Sequence, residues 1–249
     1  MISNRYLNPY QSGRTLVLAV TILVGVGMLL DLAGVGVESS QASLISGMAA
    51  GRSFPQAEVE ANDARVQLVG IFSLFVYLAT VVAFLAWIHR AHKNLAAFGT
   101  SGLEYSPGWA VGGFFVPFLN LIRPFQVMRE IWKASDPDVD YQNDSSWKYS
   151  ASSPLIGLWW GTWILAGVLG RLVFTFSKGA ETIDALLSLT YLSIASDIVN
   201  LLPAVLVIML VKAIERKQEL KHERLTALWA QHSAQLAQPA SEPADQGSH

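Results

Sequence analysis

Four long apolar runs restrict this chain to a membrane-spanning helical fold. They cover residues 15–37, 66–88, 155–176 and 186–211. A helix of about 22 residues is about 33 Å long, which is enough to cross a hydrocarbon core of about 30 Å. Only 14% of the residues are charged, against about 25% in soluble proteins. We therefore predict an all-α integral membrane protein with four transmembrane helices.

The first apolar run has an alternative interpretation as a cleaved signal peptide. The apolar region of a signal peptide usually has about 7–15 residues, and the run 15–37 is longer. We therefore expect a retained span.

A fifth apolar stretch, residues 107–123, is too short and too broken to be an ordinary span. Between Trp109 and Ile122 a helix would be about 21 Å long, and Pro117 interrupts it. Broken backbone is tolerated at membrane depth only where protein or a water-filled cavity surrounds it. We therefore predict a re-entrant or half-inserted segment.

Residues 124–135 have the pattern of an interfacial amphipathic helix. Pro124 suits the first turn of such a helix. Its predicted apolar face carries Phe125, Met128, Ile131 and Trp132, and its predicted polar face carries Gln126, Arg129, Glu130 and Lys133.

Charge placement predicts the topology. We assign residues 1–14 to a cytoplasmic segment, 15–211 to a membrane domain, 212–236 to a cytoplasmic helical extension and 237–249 to a disordered tail. With both termini in the cytoplasm, the cations left on the outer side are few: Arg52, Arg65 and Lys178. This agrees with the positive-inside rule better than a model in which 107–123 crosses fully.

Two clusters of residues between Trp87 and Trp132 have a distinctive spacing. They include Trp87, Arg90, Asn94, Gly99, Pro107, Gly108, Trp109, Pro117, Asn120, Pro124, Glu130 and Trp132. In these residues the chain resembles a bacterial multi-pass membrane family, domain of unknown function 4328, over about residues 66–212. Members of that family often have Trp where this chain has Phe114 or Phe115. The resemblance implies a bacterial cytoplasmic (inner) membrane protein, and it implies no activity or ligand.

Three charged residues and one asparagine fall inside the predicted spans: Asp31, Arg171, Asp197 and Asn200. Ionisable residues at membrane depth are costly, and they are usually paired or face a cavity. Antiparallel packing of the last two spans could bring Arg171 and Asp197 to a similar depth. We favour a structural ion pair, with a proton or ion relay as the alternative.

Two further features have alternative interpretations. His89 and His92 share a helix face and could bind a metal, but a basic helix end at lipid headgroups is favoured. Asn120 could coordinate a solute, but a role in capping the turn between Pro117 and Pro124 is favoured.

The sequence provides no basis for an enzyme. The chain has no Cys, and we find no catalytic set, no cofactor motif and no metal site. The leading hypothesis is a non-enzymatic membrane protein that acts by packing or partner binding. Its expected contacts are membrane lipid and a protein partner or a second copy, and not nucleic acid. The alternative is a small transporter or oligomeric channel that uses the broken segment and the intramembrane Asp residues.

Overall fold

The computed structural model describes residues 9–139 and 145–237, and they form an all-helical bundle without strands. The helices are α1 (Arg14–Ala49), α2 (Gln56–Ala97), α3 (Pro107–Gly112), α4 (Arg123–Ala134), α5 (Pro154–Ser177) and α6 (Ile183–Ala237). Four of them, α1, α2, α5 and α6, are long and apolar enough to cross a membrane. This confirms the all-α class and the four candidate spans. Residues 1–8 and 238–249 of the predicted terminal segments lie outside the described residues.

The long helices extend past the predicted spans. The polar stretch 38–65, which lies between the first two predicted spans, is mostly helical. α1 continues to Ala49 and α2 begins at Gln56. The chain turns at Gly51, whose φ is +78°, because glycine adopts this backbone region without a steric penalty. α6 joins the fourth span and the predicted extension 212–236 in one continuous helix, with Pro203 inside it.

The four long helices pack in the spatial order α2, α1, α6, α5. α1 packs against α2 and α6, α6 packs against α5, and α2 and α5 hardly touch each other. Val17, Trp87, Ile156 and Leu210 belong to one buried cluster. The start of α1, the end of α2, the start of α5 and the second half of α6 therefore meet at one end of the bundle, which we call the core end.

Most of the buried apolar side chains lie at the core end. α4 covers it with Val127, Met128 and Ile131, which are fully buried. Farther from this end, α2 and α5 present large exposed apolar side chains, including Phe75 and Phe174. Apolar surface of this extent is costly in water and is normal for a helix in contact with lipid.

Local signals explain how the segment between α2 and α5 begins and turns. Gly99 follows the last residues of α2 with φ +71°, and the Thr100 N–H returns to Leu95 O at 3.1 Å. This is the usual glycine-dependent end of a helix. Ser106 caps α3 by accepting a hydrogen bond from the Trp109 N–H at 3.3 Å. Pro107 and Pro124 occupy the first turns of α3 and α4.

Candidate functional site

The core end is tied together by a network of side-chain amides. Asn94 bonds the backbone of Gln11 twice, because its Oδ1 accepts from the N–H at 3.1 Å and its Nδ2 donates to the carbonyl at 2.9 Å. The same Nδ2 donates to Gln218 Oε1 at 3.0 Å. Gln218 Nε2 in turn donates to Ala91 O at 2.8 Å and to Ser135 Oγ at 3.0 Å. These five residues, which we call the amide network, join the N-terminal segment, α2, α6 and the end of α4.

A buried imidazole–carboxylate pair joins α2 to α4. His92 Nε2 lies 2.9 Å from Glu130 Oε1, and the Glu104 N–H donates to Glu130 Oε2 at 2.5 Å. His92 Nδ1 is buried without a hydrogen-bond partner among the residues that the structure describes. Because a carboxylate oxygen accepts hydrogen bonds, the imidazole donates this one from Nε2.

This pair corrects two predictions. Glu130 was expected on the polar face of an amphipathic helix, but it is only 4% exposed. His92 was expected at lipid headgroups, but it is 1% exposed. Both side chains are buried because each supplies the hydrogen-bond partner of the other.

The two histidines do not form a common site. His89 is exposed, and its Nδ1 lies 3.2 Å from Pro107 O. Within residues 9–139 and 145–237, no group of three or more His, Cys, Asp or Glu side chains could hold a metal ion.

Two charged side chains of α6 complete the core end. Glu215 Oε1 accepts a hydrogen bond from the Gly13 N–H at 2.7 Å, at the point where α1 begins. A Cβ at residue 13 would collide with this carboxylate, so a larger residue there would displace the Glu215 side chain. Burial raises the pKa of Glu215 above its ordinary value, and the Gly13 hydrogen bond opposes the rise. Lys221 Nζ donates to Ala134 O at 2.7 Å, and burial lowers the pKa of this amine to about 8.

Sequence reasoning missed these α6 contacts, because residues 212–236 were interpreted as a charged extension. The buried face of this part of α6 includes Val211, Ile214, Gln218, Lys221 and Leu225. Its spacing of three and four residues is that of a core-facing stripe. The signal was hidden because three residues of the buried face are polar or charged: Glu215, Gln218 and Lys221.

The structure brings most of the α2 and α4 motif residues to the core end. Trp87 is fully buried. Arg90 donates to Ser12 O at 3.3 Å, and Lys217 Nζ lies 4.9 Å from the ring centroid of Trp132.

The motif residues of α3 and of the segment between α3 and α4 lie apart from the amide network. Gly108 faces open space, and Trp109 is exposed. After Pro117, Phe118 has a positive φ of 65° and is also exposed. The Asn120 N–H bonds Val116 O at 3.0 Å, but its side chain makes no hydrogen bond to any described residue, so the expected side-chain cap is not formed.

A cavity of about 290 Å³ lies on the side of the bundle where α2 and α5 fail to meet. We call it the lateral cavity. All four long helices line it, together with Phe114, and most of its lining is apolar. Its wall on α1 extends from Val20 to Asp31, a rise of about 16 Å along the helix. At the core end its floor is aromatic, with Phe84 6.2 Å from Phe114 and 6.0 Å from Trp159 between ring centroids.

Three members of the predicted intramembrane polar cluster meet at the α1–α6 contact. Asn200 Nδ2 donates to Asp31 Oδ2 at 3.0 Å, and both residues line the lateral cavity. Asp197 lies against α1 at Gly34 and within electrostatic range of Asp31. Arg171 is exposed on α5, and the ion pair suggested between Arg171 and Asp197 is not among those formed by the described residues.

Comparison with known proteins identifies the family. The family model described as domain of unknown function (DUF4328) matches residues 50–216. The matched region holds all twelve motif residues, from Trp87 to Trp132, and also Asn200, whereas α1 with Asp31 lies outside it. No curated protein and no solved structure matches the chain. Because the match covers well over half of the sequence, the chain belongs to the DUF4328 family.

Proposed function

We propose that this protein is a non-enzymatic, multi-pass protein of the bacterial cytoplasmic membrane that acts by binding, and that the lateral cavity is its binding site. The observation that carries the proposal is the gap between α2 and α5, which opens a mostly apolar space toward the side of the bundle. In a bilayer, lipid would surround this gap. A molecule dissolved in the membrane could then enter without passing through water.

Charge placement supports an orientation with both termini in the cytoplasm. The start of α1 and the second half of α6 lie at the core end. The same end carries cationic residues, among them Arg14, Arg90, Lys133 and Lys217. Cytoplasmic segments of membrane proteins are enriched in Lys and Arg.

Exposed apolar side chains support partial insertion of residues 107–123. Trp109, Phe115 and Phe118 are 61%, 68% and 83% exposed. Trp160 Nε1 donates to Leu121 O at 3.0 Å, and Trp160 lies about 9 Å along α5 from its first residue. A segment that dips into the cytoplasmic leaflet and returns would bury this surface in lipid. α4, which corresponds to the predicted interfacial helix 124–135, would then lie at the membrane interface. Its buried face would pack on the protein core.

Occupancy of the lateral cavity can be tested by filling it. Gly27 lines the cavity, and a Cβ there would meet only Val76 at 3.9 Å, so Gly27→Leu projects a side chain into open space. Gly25→Leu is the matched control, because a Cβ at residue 25 meets nothing within 4 Å and Gly25 does not line the cavity. The assay is native mass spectrometry of the protein released from nanodiscs made with its own membrane lipids.

We expect an apolar molecule to remain bound to the wild type and to Gly25→Leu, and to be lost from Gly27→Leu. Equal retention by all three proteins would contradict a binding role for the cavity.

A small transporter is the second candidate. It is favoured by the carboxylates along the α1–α6 contact, since Asp197 lies within electrostatic range of both Asp31 and Glu38. Intramembrane carboxylates that face one another are common in ion and proton pathways. Proton or cation flux into vesicles containing the protein, lost in Asp197→Ala, would support transport. Cavity binding without flux would support the first candidate.

A further inference from the structure

The lateral cavity combines a carboxylate with an apolar, aromatic lining. Asp31 accepts one hydrogen bond, from Asn200. No Lys, Arg or His within the described part of the chain forms an ion pair with it. A carboxylate in apolar surroundings is costly unless a cation or additional hydrogen bonds compensate its charge. The protein therefore leaves this cavity with a carboxyl group for which the described residues supply no cationic partner.

The remaining lining favours a cation that carries apolar groups. Aromatic side chains line the cavity at Tyr77, Phe84, Trp159 and Trp163, and the faces of aromatic rings attract cations, most strongly when water is excluded. The volume of about 290 Å³ is at the lower end of the range for small-molecule pockets. A bare metal ion or a small hydrophilic cation would leave most of the apolar wall uncovered.

From this combination we infer that the lateral cavity binds a hydrophobic organic cation, such as a lipophilic amine, quaternary ammonium or phosphonium ion. The positive centre lies toward Asp31, and the apolar substituents pack on the apolar and aromatic lining beside it, which includes Tyr77. The inference rests on the proposed binding role of the cavity and adds the charge and chemical class of the ligand. Asn200 holds the Asp31 carboxylate in position at the cavity wall.

The probe for this inference is tetraphenylphosphonium, with triphenylphosphine oxide as a neutral analogue of similar aromatic character. Binding of radiolabelled probe is measured on the full-length protein in nanodiscs, with empty nanodiscs subtracted. Asp31→Asn removes the charge and keeps the size of the side chain. Asp63→Asn is the matched control, because Asp63 is an exposed carboxylate of α2 that does not line the cavity.

We expect Asp31→Asn to weaken phosphonium binding at least tenfold, because it removes the carboxylate with which the cation would pair. Binding of the neutral analogue should change less than about threefold, a difference below 1 kcal/mol. Asp63→Asn should retain most of the phosphonium affinity. Thermal melting establishes that each variant is folded. If Asp31→Asn does not fold, Asn200→Leu, which removes the group that positions the carboxylate, gives the second measurement and should also weaken phosphonium binding selectively.

The outcomes separate the two proposals. If phosphonium and the neutral analogue bind equally well and Asp31→Asn affects neither, the inference is wrong, but the cavity is still a binding site. If neither probe binds above empty nanodiscs, and Gly27→Leu loses no bound molecule in the mass-spectrometry assay, both proposals are overturned.

Discussion

The amide network predicts a large and specific effect of Asn94→Ala. Asn94 makes two hydrogen bonds to the backbone of Gln11 and one to the side chain of Gln218. Each typical intramolecular hydrogen bond contributes about 1 kcal/mol net, and a buried acceptor left without a partner costs about 1–3 kcal/mol. Gln218 is fully buried, so its Oε1 would be such an acceptor. The two lost Gln11 hydrogen bonds account for about 2 kcal/mol and the unpaired Gln218 Oε1 for about 1–3 kcal/mol, so we expect the free energy of unfolding to fall by about 3–5 kcal/mol.

Asn120→Ala is the matched control for this measurement. Asn120 is also a motif residue, but its side chain makes no hydrogen bond within the described chain. We expect its substitution to change the free energy of unfolding by less than about 0.5 kcal/mol. Unfolding can be followed by tryptophan fluorescence during titration with sodium dodecyl sulfate in mixed micelles, since the chain has 8 Trp.

A second readout isolates the N-terminal segment. Because Asn94 holds Gln11, its removal should release this segment and accelerate limited tryptic cleavage after Arg14 before the bundle unfolds. If Asn94→Ala stays within 1 kcal/mol of the wild type and cleaves at the same rate, the network does not stabilise the core end and the reasoning is wrong.

Three further substitutions test other parts of the bundle. Burial lowers the pKa of the Lys221 amine from 10.5 to about 8, so the unfolded chain holds this proton to higher pH than the folded chain. The free energy of unfolding of the wild type should therefore rise between pH 8 and 10.5, by at most about 1.4 kcal/mol per pH unit. Lys221→Met should remove this rise. Glu130→Ala should cost about 3 kcal/mol in detergent unfolding, because it leaves a buried imidazole and a backbone N–H without an acceptor. Gly34→Leu should lower the melting temperature by forcing α1 away from Asp197, whereas Gly36→Leu, which meets nothing within 4 Å, should change it little.

Each of these expectations has a contrary result. An unchanged pH dependence in Lys221→Met would mean that the amine stays protonated in the folded chain. A Glu130→Ala variant as stable as the wild type would mean that the imidazole–carboxylate pair contributes nothing. Equal melting of the two glycine variants would mean that α1 and α6 are not in tight contact at Gly34.

The amide network and the lateral cavity divide the molecule into two parts with different physical properties. At the core end, buried polar groups satisfy one another across four segments, and such networks favour a single arrangement. Farther from the core end, α2 and α5 stay apart, and the helix surfaces there are largely exposed within the chain. A rigid core end would let the lateral cavity accept a molecule from the bilayer while the bundle stays folded.

Local sequence signals determined the helical elements of this protein. A run of apolar residues long enough to cross a bilayer folds as an α-helix, because a helix satisfies its backbone hydrogen bonds internally. The four membrane-length helices and the first turn of α4 at Pro124 could therefore be anticipated from residues close together in the chain. The family resemblance was also visible at this level, because its motif lies within a short stretch.

Only the tertiary structure decided which polar side chains meet. Asn94 and Gln218 are 124 residues apart, His92 and Glu130 are 38 apart, and Asp31 and Asn200 are 169 apart. A buried polar group needs a partner of matching geometry, but its own sequence neighbourhood does not show which distant helix will supply it. For the same reason the polar face predicted for Glu130 was wrong, and the lateral cavity could not be foreseen, since it exists only because α2 and α5 pack beside other helices and not against each other.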